Sequence, residues 1–282
     1  MKQRDKYTRL GRFIALGCVG VILLSTFPVL SETTEQDTEG NVDSQQNATT
    51  TATPTSCGEN FGVALDVGHT PELFGTLTAR GRTEYELNLN LAESIRSTLI
   101  MRGFKNVYLI KMTGGLETLP QRDVEANRLK ASLFISIHHD SVQESYLSTW
   151  VVNGKQQKYS DQFSGYSLFV SEKNSNWKQA LAFATLLSDQ LLSRNMHYTL
   201  HHADQESREL LDKARGIYRF DDLLVLKGFH GPAILLEAAV VVNREEELVA
   251  ESAERHQLIA DAMFEAIQTF CEQGRSSTAP EQ

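Results

Sequence analysis

Three short runs, Phe61 to Val67, Leu133 to His138 and Ala233 to Leu236, are apolar for most of their length and stop at residues able to do chemistry. Runs of this length with polar boundaries read as buried strands. Helical patterns separate them. Glu84 to Met101 places Leu87, Leu91, Ile95 and Leu99 at four-residue spacing, one face of an amphipathic helix. Thr118 to Lys130 reads as a helix with Pro120 in its first turn, Trp177 to Ser193 as another, and Asn243 to Phe270 as a long closing helix. Val107 to Ile110 and Tyr166 to Val170 read as further short strands. This alternation is that of an α/β protein. Asp140 to Gly165 and Met196 to Arg219 carry no assignable pattern and are expected to be irregular insertions that flank a groove.

The start of the chain is of another kind. Lys2, Arg4, Lys6, Arg9 and Arg12 precede an apolar run from Phe13 to Leu30. That order is the signature of a secretory signal or an uncleaved membrane anchor over residues 1–30. Cys18, inside the apolar run, is a weak candidate for lipidation. Residues 31–56 are rich in Thr, Gln and acidic side chains and cannot bury enough apolar area to offset ordering entropy, so a flexible linker is expected. Residues 57–274 then form one domain of ordinary size, with a flexible tail at 275–282. The formal charge is −9, and the leader holds five basic groups and one acid, so the rest of the chain is near −13. Nucleic acid is excluded as a partner by that charge and by the lack of a basic stripe. Outside the leader only Cys57 and Cys271 remain, one at each edge of the domain; in an exported protein this suggests a disulfide rather than two separate thiols.

In α/β sheets, functional groups collect beyond the carboxyl ends of strands. The first run ends Asp66-Val67-Gly68-His69, the second Ser136-Ile137-His138-His139-Asp140, and the last Leu235-Leu236-Glu237. Thr83-Glu84-Tyr85-Glu86 has capping-box spacing, with Thr83 as N-cap and Glu86 reaching back to it. Glu84 is left either to complement the helix dipole or to bind a metal. Two histidines and a carboxylate are a ligand set for catalytic zinc, with a position open for water. A further carboxylate that does not bind the metal, the role Glu237 fits, can take a proton from water and return it to a leaving amine.

Several side chains keep two readings. Asp66 either orients a ligand or serves the turn. His138 and His139 face opposite sides of a strand, so only one meets a given metal, and the pattern does not choose. His197, His201 and His202 lack a third ligand nearby in sequence and read as surface or groove residues. His230 reads as structural, and Arg122 and Asn127 as packing or hydrogen-bonding residues.

From Val63 to about Phe270 the chain resembles the zinc-dependent N-acetylmuramoyl-L-alanine amidases. Asp66-Val67-Gly68-His69 is similar to that family's Asp-Pro-Gly-His. Glu84 to Leu89, with Ala92 beyond, resembles its Glu-Lys-x-x-x-Leu-x-x-Ala, and Arg122 with Ala126-Asn127 its Arg-x-x-x-Ala-Asn. Leu133 to His138 resembles its Leu-Phe-Ile-Ser-Ile-His, and Pro232 to Glu237 with Asn243 its last motif. The resemblance implies a mixed, mostly parallel central sheet flanked by helices on both faces, in a single catalytic domain. It implies zinc held by His69, Glu84 and His138, with Glu237 as the catalytic carboxylate. The implied reaction is hydrolysis of the amide between the lactyl group of N-acetylmuramic acid and the L-alanine of the stem peptide, in peptidoglycan or a muropeptide. Such an enzyme is exported, in the periplasm or cell envelope; membrane attachment through the N-terminal segment and an activator protein are left open. Val67 and Thr70 stand where the family has proline and glycine, and Ala238-Ala239-Val240 where it more often has a Gly-Phe pair. Two other functions remain: a zinc peptidase or carboxypeptidase, for which the chain lacks an evident arginine pair although Arg80 and Arg82 lie close to Glu84, and a non-catalytic cell-wall-binding module.

Overall fold

A computed structural model describes Cys57, residues 59–203 and residues 205–276. The leader, Cys18 and the linker lie outside the described residues. The β-branched and leucine-rich runs become β1 (Gly62–Val67), β2 (Asn106–Ile110), β3 (Leu133–Asp140), β6 (Ser167–Val170) and β9 (Ala233–Val240). Helices α1 (Glu84–Met101), α2 (Gln121–Arg128) and α3 (Trp177–Ser193) fall between them. Thr83 and Glu86 cap α1 reciprocally, as their spacing predicts: Glu86 N donates to Thr83 Oγ1 at 3.3 Å and Thr83 N to Glu86 Oε2 at 3.2 Å.

The late strand continues beyond the expected stop at Leu236, so Glu237 stands inside β9, in register with His138 of β3. The single closing helix expected from Asn243 is instead two: α5 (Glu246–Ala250) and α6 (Ala253–Ser276). Two caps break it. Asn243 Oδ1 accepts from the amides of Glu245 and Glu246, and Ser252 Oγ from that of Arg255. The two stretches without a pattern also contain regular structure. The first holds a hairpin, β4 (Ser148–Val152) and β5 (Lys155–Tyr159), and the second contributes β7 (Glu209–Asp212) and β8 (Ile217–Arg219); the short α4 (Leu224–Lys227) follows β8. The hairpin turns at Asn153-Gly154, both at positive φ, the pairing that a tight two-residue turn favours.

Seven strands form one sheet in the order β2-β1-β3-β9-β6-β8-β7. Neighbours run parallel except at β9–β6 and β8–β7. One face packs Leu65, Ile135, Ile137, Leu168 and Leu236 against α1, α3 and α6; the other packs Ala64, Phe134, Phe169 and Leu235 with α2 and α4. Helices therefore cover both faces, and the residues at the carboxyl ends of β1, β3 and β9 meet along one edge. At the opposite edge Cys57 and Cys271 are joined by a disulfide, Cα atoms 5.6 Å apart. Among the described residues no helix is long and apolar enough to cross a membrane.

Candidate active site

His69 lies two residues beyond β1 with φ of 67°, a left-handed conformation that few non-glycine residues adopt. The turn is fixed from three elements. Gly68 N donates to Ile137 O of β3 at 2.9 Å, Asn88 Nδ2 of α1 donates to Gly68 O at 3.2 Å, and Arg122 of α2 donates to the carbonyls of Val67 and His69. Arg122 also pairs with Asp66 at 2.6 Å, both fully buried, and Ser136 Oγ donates to the other Asp66 oxygen at 2.7 Å. A buried ion pair gains little unless its remaining hydrogen-bonding groups are satisfied, and here the Asp66 carboxylate is. Asp66 thus anchors the turn through Arg122, and Arg122 shapes the approach of His69.

Of the departures from the family pattern in this loop, Thr70 is buried and donates to Gly114 O at 2.7 Å while accepting from Leu73 N at 2.9 Å. It ties the His69 loop to the one after β2. Val67 simply fills the core.

Glu84 is the first residue of α1 and reaches over the sheet edge. His69 Nε2 is 3.0 Å from one of its oxygens and His138 Nδ1 3.0 Å from the other. The ligand atoms of the three side chains lie within 4.8 Å of one another. Space for this cluster requires glycine twice: a Cβ on Gly68 would overlap the His138 ring, and one on Gly75, itself at φ +78°, would overlap Glu84 and lie 2.7 Å from His69 Cδ2. Burial opposes a charge on Glu84, but hydrogen bonds from His138 and His69 outweigh it and hold the carboxyl well below its usual range. The ionised form is the one that ligates a metal. Two imidazoles and one carboxylate whose ligand atoms lie this close fit a tetrahedral zinc site with a position to spare once the ring nitrogens are deprotonated.

A second layer steadies Glu84. Thr76 N donates to it at 3.0 Å, Asn88 Nδ2 at 3.3 Å and His139 N at 3.3 Å. His139 faces the α1 side of the sheet, away from His138, with Nδ1 2.8 Å from Asn88 Oδ1. Burial drives its imidazole down to about 3, so it stays neutral. Asn88, which sequence reasoning passed over, sits one helical turn after Glu84, and that i,i+4 spacing was the available signal.

Glu237 is the register partner of His138 on one side and of Ser167 on the other. Its Oε2 is enclosed without a hydrogen-bond partner among the described residues. Burial raises its pKa well above the usual carboxylate range, the negative charges of Asp140 and Glu84 raise it further, and Arg208 opposes them. A carboxyl held this way is poised to exchange a proton.

His201 and His202 are corrected by the structure. They are buried, not surface residues, and both meet Asp140 at the end of β3, the third partner that sequence proximity did not supply. Their ring hydrogens are fixed by their neighbours. Ser141 O can only accept, so His201 carries its hydrogen on Nε2, 3.1 Å away, and its Nδ1 takes the Thr199 hydroxyl at 2.8 Å. Arg208 can only donate, so His202 Nδ1 accepts and its Nε2 donates to Asp140 at 2.5 Å. Burial also lowers the His202 pKa. The cluster is therefore a hydrogen-bonded brace between β3 and the segment before β7, with its ring nitrogens spent. His197 is exposed, as expected, beside Ser164. Asn127 bridges Gly228 O and His230 N, at 2.9 Å each.

A cavity of about 320 Å³ adjoins His69 and His138, walled by Leu73, Leu116, Leu119, Leu223 and Val225, with Asp222 at its margin. Arg80 and Arg82, the nearest arginines in sequence to Glu84, are spent on Glu247 and Glu251.

Sheet and side chains together define an α/β protein with a candidate metal centre at the carboxyl edge of its strands. Residues 63–269 match the family model described as N-acetylmuramoyl-L-alanine amidase, and the chain belongs to that family. It is 25% identical over 231 residues to the N-acetylmuramoyl-L-alanine amidase AmiC of Escherichia coli, which covers 75% of this chain and 53% of AmiC. The chain spans about half the length of the curated relatives it matches. Among solved structures, an N-acetylmuramoyl-L-alanine amidase of Clostridium difficile superposes with a TM-score of 0.58 at 18% identity, covering 76% of this chain and 98% of the other. The catalytic domain of CwlV from Bacillus (Paenibacillus) polymyxa does so with a TM-score of 0.57 at 21% identity, covering 75% and 98%. These likenesses match the fold expected from the sequence.

Proposed function

We propose that this chain is an exported peptidoglycan amidase that hydrolyses the bond between the lactyl group of N-acetylmuramic acid and the L-alanine of the stem peptide, with zinc held by His69, Glu84 and His138. The observation that carries the reading is Glu237, a half-buried residue whose Oε2 is enclosed with no hydrogen-bond partner among the described residues, on the strand beside His138. Zinc bound there would polarise the scissile carbonyl and acidify a water. Glu237, which is not in the ligand cluster, takes the proton of the attacking water and returns it to the leaving amine. Asn88 and Thr76 hold Glu84 in its ligating pose, and Arg122 holds the His69 turn. The apolar cavity beside His69 and His138 provides a water-poor wall for the substrate.

The carboxypeptidase reading loses support because Arg80 and Arg82 already serve carboxylates of the chain. The binding-module reading loses support because the ligand cluster and the free carboxyl are both complete. The test is digestion of muropeptides with product identification by mass spectrometry, for the parent and Glu237→Gln. Free stem peptides beginning with L-alanine are expected from the parent. The variant is expected to lose turnover by at least a hundredfold, in line with removal of an acid–base group, and to keep its metal. Cuts inside the peptide or the glycan would reject the amidase assignment, and loss of zinc with activity would make Glu237 a ligand.

A further inference from the structure

Arg208 stands apart from the other arginines near the candidate site. Arg122 is spent on Asp66, Arg80 on Glu247, Arg82 on Glu251, and Arg219 on Glu172 and Glu209. Arg208 has no carboxylate at ion-pairing distance among the described residues; the one hydrogen-bond partner of its guanidinium there is His202 Nδ1. Its Nε is enclosed and unpartnered. A guanidinium offers five N–H groups in a rigid fork matched to a carboxylate, and most of this one is unused.

Its position is fixed relative to Glu237. The guanidinium carbon lies 4.9 Å from the centre of the Phe220 ring and 5.7 Å from that of Phe169. Phe169 pairs with Leu235 and Ser167 with Glu237 across β6 and β9, so Phe169 and Ser167 share the face that Glu237 presents. The brace from Arg208 through His202 to Asp140 ties the same guanidinium to β3 on the far side of β9. The Arg208 charge is felt at Glu237, where it counters Asp140 and Glu84.

Glu237 delivers its proton to the leaving amine, so the peptide side of the substrate lies against it. The cavity beside His69 and His138 is apolar, carries Asp222, and has Arg122 as its one cation, already engaged. A substrate carboxylate therefore finds its complement on the Arg208 side. Resting on the amidase reading, we propose that Arg208 is a specificity residue that binds a carboxylate on the peptide side of the scissile amide, one residue beyond the L-alanine.

Two muramoyl dipeptides that differ only in whether the α-carboxyl of the second residue is free or amidated test this. Steady-state kinetics on both are run with the full zinc-loaded chain and with Arg208→Gln, whose amide can still donate to His202. The parent is expected to show the lower KM for the free acid. In the variant the KM for the free acid rises about tenfold or more, the scale of one charge-assisted hydrogen bond, while the KM for the amide stays within twofold and any change in kcat, from losing the Arg208 charge beside Glu237, is the same on both. Calorimetric binding of the released L-alanyl dipeptides, free acid against amide, should show the same selective loss without turnover. Equal losses on both substrates, or losses confined to kcat, would make Arg208 only a brace and overturn the proposal. A parent that cleaves both without preference also overturns it and leaves the amidase reading intact. A parent that cleaves neither removes that reading, and this inference with it.

Discussion

Carboxylates in this chain have different fates because their surroundings differ. Asp66 is paired with Arg122, Glu84 lies against two histidines, and Glu237 Oε2 meets nothing within hydrogen-bonding reach among the described residues. Glu246 is a further case. It is buried at the start of α5 and accepts from Gly165 N at 2.7 Å and Val240 N at 3.1 Å. Burial still dominates those contacts and raises its carboxyl to about 7. An unfolded glutamate titrates near 4.3, so the folded protein holds this proton more tightly. That stabilisation is complete below about pH 4 and is lost as pH rises through 7, a change of about 3–4 kcal/mol. Glu246→Gln removes it. Urea unfolding at pH 5 and pH 8 should show the variant gaining on the parent by that order; parallel pH profiles would refute the assignment. No sequence pattern marked Glu246, because burial is a property of the assembled fold.

At the scale of the element, α1 joins a local signal to a remote site. Its cap is written in four consecutive residues, and the same cap sets where Glu84 emerges. Thr83→Ala should cost about 1 kcal/mol in urea unfolding and should speed loss of metal to a chelator, because Glu84 is the next residue. Unchanged chelation kinetics would separate the cap from the site. The hairpin behaves differently. Trp150 Nε1 donates to Ala79 O at 2.8 Å, and Arg80 and Arg244 lie 5.3 and 5.1 Å from its ring centre. Asn153-Gly154 was a turn signal that the sequence reading passed over, and the flanking strands are polar and alternate weakly, since one face of the ribbon is solvated. What the hairpin packs on, the segment leading into α1, was not legible at all.

Across the whole molecule, the sheet keeps its two ends for different work. Ligand candidates gather at the carboxyl edge, and the Cys57–Cys271 bridge closes the amino edge across a separation of 214 residues. A loop of that length gives a bridge worth about 2–5 kcal/mol. Cys57→Ser with Cys271→Ser should lower the urea midpoint accordingly and leave zinc content and muropeptide cleavage unchanged at low temperature. Loss of metal in that variant would show the two edges to be coupled.

The sequence alone determined the alternation of strands and helices and the cap of α1; it offered His69, Glu84, His138 and Glu237 as candidates, with the family resemblance choosing His138 over His139, and it suggested pairing Cys57 with Cys271. These follow from local periodicity, from residue chemistry and from the order of motifs, all of which survive without coordinates. Only the tertiary structure decided that Arg122 fixes the His69 turn, that Asn88 and His139 support Glu84, and that Asp140 recruits His202 and Arg208. Each of those contacts joins residues whose positions depend on strand order and register. Hydrogen bonds of that kind act over about 3 Å, and one chain does not state which of its distant segments come that close.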